Sequence, residues 1–202
     1  MKSKTLYIPY GSIPGAPAEL LACRNGWAGN DGAEEAFFSA IWNEDVLAVR
    51  FLTRNAPAVC RSFEDMAPVS DDSCVEVFLR PQDGGEYWNQ EFNIAEFINA
   101  SHRLVRNAKT PLTPDERASI VCLADPRISA PEDCAGIEEW TMEVRIPWKI
   151  LGVEPRKGLR MTGNFYACAG KADKPYYLSW APIAAPAPDF HRPEFFGEIV
   201  LD

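Results

Sequence analysis

The sequence predicts an all-β protein, an antiparallel β-sandwich or jelly roll with about ten short strands and one or two helical turns. Two observations support this fold class. Apolar and polar residues alternate with period two far more often than they recur with the helical period of 3.6. The chain of 202 residues also carries 17 Pro and 13 Gly, spread along its length as turn markers. Short strands separated by turn signals are typical of sandwiches and jelly rolls.

Nine segments have the composition and alternation of strands. They are residues 46–53, 73–80, 88–95, 97–105, 119–123, 140–146, 159–168, 176–180 and 196–201. Pro and Gly mark the turns, which are predicted at residues 81–85, 111–114, 155–158 and 181–188. One helical turn is predicted over 147–152, where Pro147 suits a first-turn position and Gly152 a stop, and a second over 113–118.

The charge balance excludes two classes of partner. There are 20 Lys and Arg against 29 Asp and Glu, a formal net charge of −9, and no basic run exceeds two residues. Nucleic acids and anionic membrane surfaces both need a basic patch, so neither is expected as a partner. As the chain begins, it has no apolar leader, which predicts a cytoplasmic protein, or a secreted one if the sequence has been trimmed.

Strand parity predicts which side chains leave the core, because successive residues of a strand point to opposite faces. On three of the strands the outward sets are Tyr87, Asn89, Glu91 and Asn93; Arg160, Thr162, Asn164 and Tyr166; and Thr141, Glu143 and Arg145. If these strands share one sheet, its outer face carries carboxylates, amides and a phenol, which suit the hydroxyl groups of a sugar. The alternative is an ordinary solvated sheet face.

Six blocks in order resemble one family. They are residues 71–79 (DDSCVEVFL), 87–93 (YWNQEFN), 140–148 (WTMEVRIPW), 163–166 (GNFY), 178–180 (LSW) and 190–197 (FHRPEFFG). Together they resemble the family 9 carbohydrate-binding modules, and more closely their stand-alone family 9-like relatives, over residues 37–201. The resemblance implies a DOMON-like β-sandwich with a sugar site on its concave face. It leaves residues 1–36 as an N-terminal extension packed on a single domain of residues 1–202.

Site residues follow from the resemblance. The acidic ligand of the family corresponds to Glu76, its basic residue falls at Asn93, and its late-strand amide falls near Tyr166. Of the two Trp that hold the sugar in the family, the later one falls at Phe190 and the earlier one at Ser70 or Val69. The predicted ligand-binding residues are Glu76, Asn93, Tyr166, Phe190 and the adjacent His191, with Tyr87, Glu91 and Asn164 in support.

The predicted function is therefore non-catalytic binding of a mono- or oligosaccharide in polysaccharide degradation, by an aromatic ring with carboxylate and amide hydrogen bonds. Two alternatives stay open. Glu76 and Glu91 could act as the carboxyl pair of a glycoside hydrolase, or the aromatic loops could bind a protein. The resemblance implies structural calcium in some members, for which Asp71 and Asp72, with Glu64 and Asp65, are the candidates. No other cofactor is expected, and the oligomeric state is open.

Overall fold

A computed structural model describes residues 4–15, 19–21, 27, 32–81 and 85–202. Its strands are β1 (Thr5–Ile8), β2 (Glu19–Leu20), β3 (Glu35–Trp42), β4 (Val46–Arg54), β5 (Ser73–Arg80), β6 (Tyr87–Asn93), β7 (Ile98–Arg103), β8 (Lys109–Pro111), β9 (Val121–Asp125), β10 (Trp140–Pro147), β11 (Arg160–Ala169), β12 (Tyr176–Ser179) and β13 (Gly197–Leu201). The helices are α1 (Pro114–Ala118) and α2 (Trp148–Leu151), and short 3-10 turns cover Val69–Asp71, Pro131–Cys134 and Pro193–Phe195.

The strands form two sheets. The larger has the order β1-β13-β11-β5-β6-β7-β8, with β12 also paired to β11, and the smaller has the order β2-β3-β4-β10-β9. Strand β1 runs parallel to β13, and every other pair in the described residues is antiparallel. The predicted all-β sandwich with little helix is confirmed. No helix in the described part of the chain is long and apolar enough to span a membrane.

All nine predicted strand segments are strands, with bounds that agree within two residues. Both predicted helical turns are also present, and Gly152 ends α2 in the left-handed conformation, with φ of 65°. The predicted turn at 81–85 lies largely outside the described residues, which omit 82–84. The strand β3 was not predicted. Its sequence EAFFSAIW is apolar at both parities, which hides the alternation that marks a half-buried strand.

The main core lies between the sheets. Each sheet contributes aromatic rings to it, and Phe38 of the smaller sheet stacks on Phe165 of the larger one with ring centroids 4.2 Å apart. The inward sets predicted from parity on β6, β10 and β11, including Phe92, Met142 and Met161, all belong to this cluster. Stacked rings in the core contribute packing energy beyond their burial and fix how the sheets sit on one another.

The outer face of the larger sheet is not a solvated surface. It carries a second apolar cluster, here called the outer-face cluster, formed by Trp27, Val69, Cys74, Phe78, Tyr87, Tyr166, Cys168, Ile183, Phe190 and Phe196. Three of these residues come from the chain after β12, so that segment packs across the sheet. The parity of β6 and β11 is right, whereas the condition that β10 shares their sheet is not met. Because β10 pairs with β4 and β9, Glu143 and Arg145 belong to the smaller sheet.

Candidate functional site

A cleft of about 200 Å³ opens beside the outer-face cluster. It is called the carboxyl cleft here, and its lining is Ser70, Asp71, Glu76, Glu91, Arg106, Cys168, Gly170, Tyr177, Pro188, Asp189, Phe190 and His191. The floor comes from the central strands β5, β6 and β11, which are hydrogen-bonded neighbours in the larger sheet. Residues 188–191 supply one wall. The polar floor is thus held by regular structure, and the wall by the chain that covers the sheet.

Two carboxyl groups occupy the floor. Glu76 of β5 lies directly opposite Glu91 of β6 in the strand register. Residues paired in this way point to the same face of a sheet, with Cβ atoms typically about 5 Å apart. Both residues are almost fully buried, at 2% and 5% exposure. Their acidic side chains therefore share one small, poorly hydrated space.

The Glu76 carboxyl group is held neutral by its surroundings. Burial raises its pKa well above the ordinary value, and the nearby Cys168 and Glu91 raise it further. The thiol of Cys168 donates to Glu76 Oε1 at 3.4 Å. A protonated carboxyl group can both donate and accept a hydrogen bond. Glu76 can therefore pair with a hydroxyl group in either direction.

The Glu91 carboxyl group is held by two amides. Asn89 Nδ2 donates to its Oε1 at 3.0 Å, and Asn99 Nδ2 donates to its Oε2 at 3.2 Å. Arg103 Nε in turn donates to Asn89 Oδ1 at 2.7 Å. Burial raises the pKa of Glu91 to about 7, while the positive charge of Arg103 and the two amide bonds oppose that rise. The group therefore ionises near neutral pH, unlike Glu76.

Aromatic rings form one side of the carboxyl cleft. Phe190 stacks on Tyr166 with ring centroids 4.1 Å apart. Its edges meet Trp27 at 6.0 Å and Tyr177 at 6.1 Å. Phe190 is 8% exposed, whereas Tyr177 is only partly buried. Of these two rings, Tyr177 is the more exposed.

His191 completes the wall as a neutral ring. Burial lowers its pKa to about 3, and the charges of Arg103, Arg106 and Lys109 lower it further. Its Nδ1 shares a hydrogen bond with the Tyr87 hydroxyl at 3.1 Å. The backbone N–H of His191 donates to Asp189 Oδ1 at 3.0 Å.

An ion pair lies at the mouth of the cleft, where Asp189 meets the guanidinium of Arg106. Arg106 Nη1 contacts Asp189 Oδ1, the same oxygen that accepts the His191 backbone N–H. The side chain of Arg106 is about half exposed. The pair therefore joins the wall segment to the turn between β7 and β8.

The structure brings some of the predicted site residues to the cleft and not others. Glu76, Glu91, Phe190 and His191 line it. Asn93 does not, and its amide is fully used elsewhere. Its Nδ2 donates to Asp72 Oδ2 and to the Ser62 carbonyl, and its Oδ1 accepts backbone N–H groups at 3.2 and 3.0 Å. A side chain with all its hydrogen bonds made inside the protein has none left for a ligand.

The other predicted residues lie behind the cleft. Tyr166 is fully buried, and its hydroxyl donates to the Phe190 carbonyl at 3.2 Å. Asn164 exchanges hydrogen bonds with the backbone of Ala181, at 3.0 and 2.8 Å. The Tyr87 hydroxyl shares a hydrogen bond with His191, and its ring packs against Phe78 and Phe196. These three side chains fix the segment that crosses the sheet, so they position the wall and do not line the cleft.

Sequence reasoning missed Tyr177, Arg106 and Asp189. For Tyr177 a signal was present, because Tyr176 packs in the main core and its neighbour must then face outward. Arg106 and Asp189 lie in turns, where no periodicity indicates direction. Ser70, one of the two positions at which the resemblance puts the family's earlier Trp, lines the cleft.

Two of the four predicted calcium ligands, Asp72 and Asp65, already accept hydrogen bonds from N–H donors. Asp72 is fully buried, and its carboxylate accepts the backbone N–H groups of Arg61 at 2.8 Å and Ser62 at 3.0 Å, as well as Asn93 Nδ2 at 3.0 Å. Asp65 accepts the N–H of Ile98 at 3.1 Å. Calcium takes oxygen ligands. A carboxylate surrounded by N–H donors serves as a structural acceptor, and Asp72 ties residues 61–62 to β6.

A larger cavity of about 630 Å³ lies elsewhere, lined by Glu34, Arg61, Glu138, Lys174 and Tyr176 among others. None of the predicted site residues reaches it. Perturbed pKa values that come from burial and specific neighbours mark functional sites better than volume does. Glu76, Glu91 and His191 have such values. We therefore place the candidate site in the carboxyl cleft.

Comparison with known proteins gives one family. The family model described as carbohydrate-binding family 9 matches residues 26–201. No curated protein is similar enough in sequence to count as a match. A candidate carbohydrate-binding protein from Bacteroides uniformis has a similar structure, with a TM-score of 0.86 and 22% identity over 100% of both chains.

A family 9 module from Caldicellulosiruptor kristjanssonii is also similar in structure. Solved with glucose, it has a TM-score of 0.65 and 17% identity, over 98% of this chain and 96% of that chain. Solved with cellotriose, a module from the same organism gives 0.59 and 16%, over 98% and 94%. At these identities the likeness shows a shared fold.

Proposed function

Since the chain belongs to carbohydrate-binding family 9, we propose that it binds a saccharide, without catalysis, in the carboxyl cleft. The cross-strand pair of Glu76 and Glu91 at the cleft floor is the observation that carries this proposal. Structural relatives in the family were solved with glucose and with cellotriose. Their ligands indicate the class of sugar to test first.

The two carboxyl groups suit adjacent hydroxyl groups of a pyranose. Glu76, kept neutral by burial, donates to one hydroxyl and accepts from another. Glu91 is already oriented by two amide donors and offers its remaining lone pairs. Neutral or partly ionised acids bind an uncharged polyol without the cost of burying a full charge. The overall negative charge of the chain does not oppose such a ligand.

The aromatic wall supplies the apolar contact. One face of Phe190 is covered by Tyr166, so the accessible rings at the wall are Tyr177 and the remaining surface of Phe190. By the family resemblance the earlier Trp falls at Ser70 or Val69, neither of which is aromatic, so one-sided stacking would replace a sandwich. The cleft of about 200 Å³ is below the roughly 300–1,000 Å³ of typical small-molecule sites. It therefore suits one sugar unit or the end of a chain.

Calorimetric titration with glucose, cellobiose and xylose, together with intrinsic fluorescence, tests the proposal. We expect saturable binding of at least one sugar, and Glu76→Gln should weaken it roughly tenfold through loss of one buried hydrogen bond. Glu138→Gln is the matched control, because Glu138 lines the larger cavity. Binding that is lost in Glu138→Gln and kept in Glu76→Gln would move the site to that cavity. No saturable binding of any of the three sugars would overturn the proposal.

Hydrolysis is the second candidate, and the direct pairing of Glu76 with Glu91 is the observation that favours it. Glycosidases need two carboxyl groups, one protonated and one ionised, about 5 to 9 Å apart. The pKa values of Glu76 and Glu91 are split in that sense. An aryl-glycoside assay separates the two functions. Turnover that Glu76→Gln abolishes would assign hydrolysis, and binding without turnover supports the proposed function.

A further inference from the structure

Two thiols and a carboxyl group converge at the floor of the carboxyl cleft. Cys74 of β5 lies directly opposite Cys168 of β11, and Glu76 is the next residue of β5 on the same face. Their potential ligand atoms all lie within 4.8 Å of one another. We propose that Cys74, Glu76 and Cys168 bind a thiophilic divalent cation of the zinc class, a function that goes beyond sugar binding and shares Glu76 with the sugar site.

The spacing is close to what such an ion requires. Zinc bonds of about 2.3 Å to sulfur and 2.0–2.2 Å to oxygen place two tetrahedral ligands roughly 3.6 Å apart. The distance from Cys168 Sγ to Glu76 Oε1 is already 3.4 Å. The Cys74 sulfur lies within 4.8 Å of the Cys168 sulfur and of a Glu76 carboxylate oxygen. Small side-chain rotations therefore suffice to bring the trio onto one ion.

The trio is rigidly held, which favours a defined site. All three residues are at most 2% exposed. They lie on β5 and β11, paired neighbours inside the larger sheet, where the backbone has little freedom. Cys168 and Glu76 line the cleft, whereas Cys74 lies beneath them. Three protein ligands with one open side resemble the arrangement of zinc sites that keep a position for water or another oxygen ligand.

The chemistry of the three groups selects the ion. Thiolate sulfur favours zinc over calcium or magnesium, which prefer oxygen. Without an ion, burial keeps Cys74 and Glu76 protonated by raising the pKa of each well above its ordinary value. Binding would displace the two thiol protons and the carboxyl proton to solvent, as metal ligation by such groups requires. The site would then hold Zn²⁺ with two thiolates and one carboxylate, a net charge of −1 after the three protons have left.

Titration of the reduced protein with Zn²⁺, and with Co²⁺ as a spectroscopic probe, tests the site. A phosphine reductant must be present, because the two cysteines are also placed to form a cross-strand disulfide. We expect saturation at one ion per chain and a thiolate-to-cobalt absorption band. Cys168→Ala and Cys74→Ala should each weaken Zn²⁺ binding at least tenfold. Cys122→Ser, on the smaller sheet, is the control and should leave binding unchanged.

Two results would overturn the proposal. One is the absence of saturable Zn²⁺ binding by the reduced, folded protein. The other is a cobalt band that persists in the double variant Cys74→Ala/Cys168→Ala, which would place the ion on other cysteines. Circular dichroism of each variant confirms that it folds. The sugar titrations are to be run in EDTA, which removes zinc, so sugar binding can be measured even if no zinc site exists. Zinc binding is in turn measured without sugar, so it can be tested even if no sugar binds.

Discussion

The rings of Tyr166 and Phe190 stack face to face, with centroids 4.1 Å apart and planes 13° from parallel. The Tyr166 hydroxyl also donates to the Phe190 carbonyl at 3.2 Å. One strand residue thus holds both the side chain and the backbone of the wall. Phe190 is for this reason a structural residue as well as part of the cleft lining.

We therefore expect Phe190→Ala to lower stability as well as sugar affinity. Removing a ring that is 8% exposed leaves a cavity against Tyr166 and Trp27, at a cost of about 3 kcal/mol in the free energy of unfolding. Urea denaturation measures the loss. Phe190→Leu, which keeps most of the volume, is the control and should lose less. An unchanged unfolding midpoint in Phe190→Ala would show that the ring is not part of the outer-face cluster.

Tyr177 offers a cleaner test of stacking. Its ring lines the carboxyl cleft but is only partly buried, so its removal should affect the sugar more than the fold. Losing about 100 Å² of apolar contact is worth about 2 kcal/mol, or roughly thirtyfold in Kd. We expect that loss in Tyr177→Ala and near-normal affinity in Tyr177→Phe, by calorimetry with the best of the three sugars. Equal affinity of both variants would exclude this ring from the site.

Local pattern predicts strands and faces well in this protein. Parity predicted Glu91 on the outward face of its strand, where it lies opposite Glu76, the residue that the family resemblance indicated. It also separated Phe165, in the main core, from Tyr166, in the outer-face cluster. Parity works because side-chain direction is a property of the backbone itself.

Local pattern could not predict which strands pair with one another or which segment of the chain covers the larger sheet. Nothing within residues 140–147 indicates that β10 pairs with β4, because pairing depends on distant residues. The chain after β12 has no regular structure until Pro193–Phe195. No periodicity therefore predicted that this segment buries Tyr166 on the outer face of the sheet. Asn93 was misplaced for a related reason. Its partners Asp72 and Ser62 are non-local, and only the structure brings them together.

Asp72 should be essential for stability and not for calcium. In Asp72→Ala, three N–H donors from Arg61, Ser62 and Asn93 lose their acceptor. Buried donors without partners cost about 1–3 kcal/mol each, so we expect a loss of about 3 kcal/mol or more. Thermal or urea unfolding measures it. Asp71→Ala, at the partly exposed neighbouring position, should change stability by about 0.5 kcal/mol or less.

The same variants test the calcium prediction. Added Ca²⁺ should leave the Tm of the metal-free wild-type protein unchanged, because the Asp72 carboxylate already accepts hydrogen bonds from three N–H donors. A Tm that rises with Ca²⁺ in the wild type but not in Asp72→Ala would place a calcium ion at Asp72.

The last prediction concerns pH, and it rests on Glu91. Burial raises the pKa of this carboxyl group from 4.5 to about 7. Between those values the folded protein holds a proton that the unfolded chain has released, so the contribution of Glu91 to stability falls as pH rises. His191 acts in the opposite sense below pH 6.5, because its folded-state pKa of about 3 makes the unfolded chain bind the extra proton.

Comparison of the wild-type protein with Glu91→Gln removes the contribution of His191, which is present in both, and reports the ionisation of Glu91 together with its effect on the pKa of Glu76. We expect the stability of the wild type relative to the variant to fall as pH rises from 4.5 to 7, by at most about 1.4 kcal/mol per pH unit. Urea denaturation at half-unit pH steps measures the difference. A difference that is flat over this range would mean that Glu91 ionises in the folded protein as it does in the unfolded chain. A difference that grows with pH would mean that the ionised form is stabilised, with Arg103 outweighing burial.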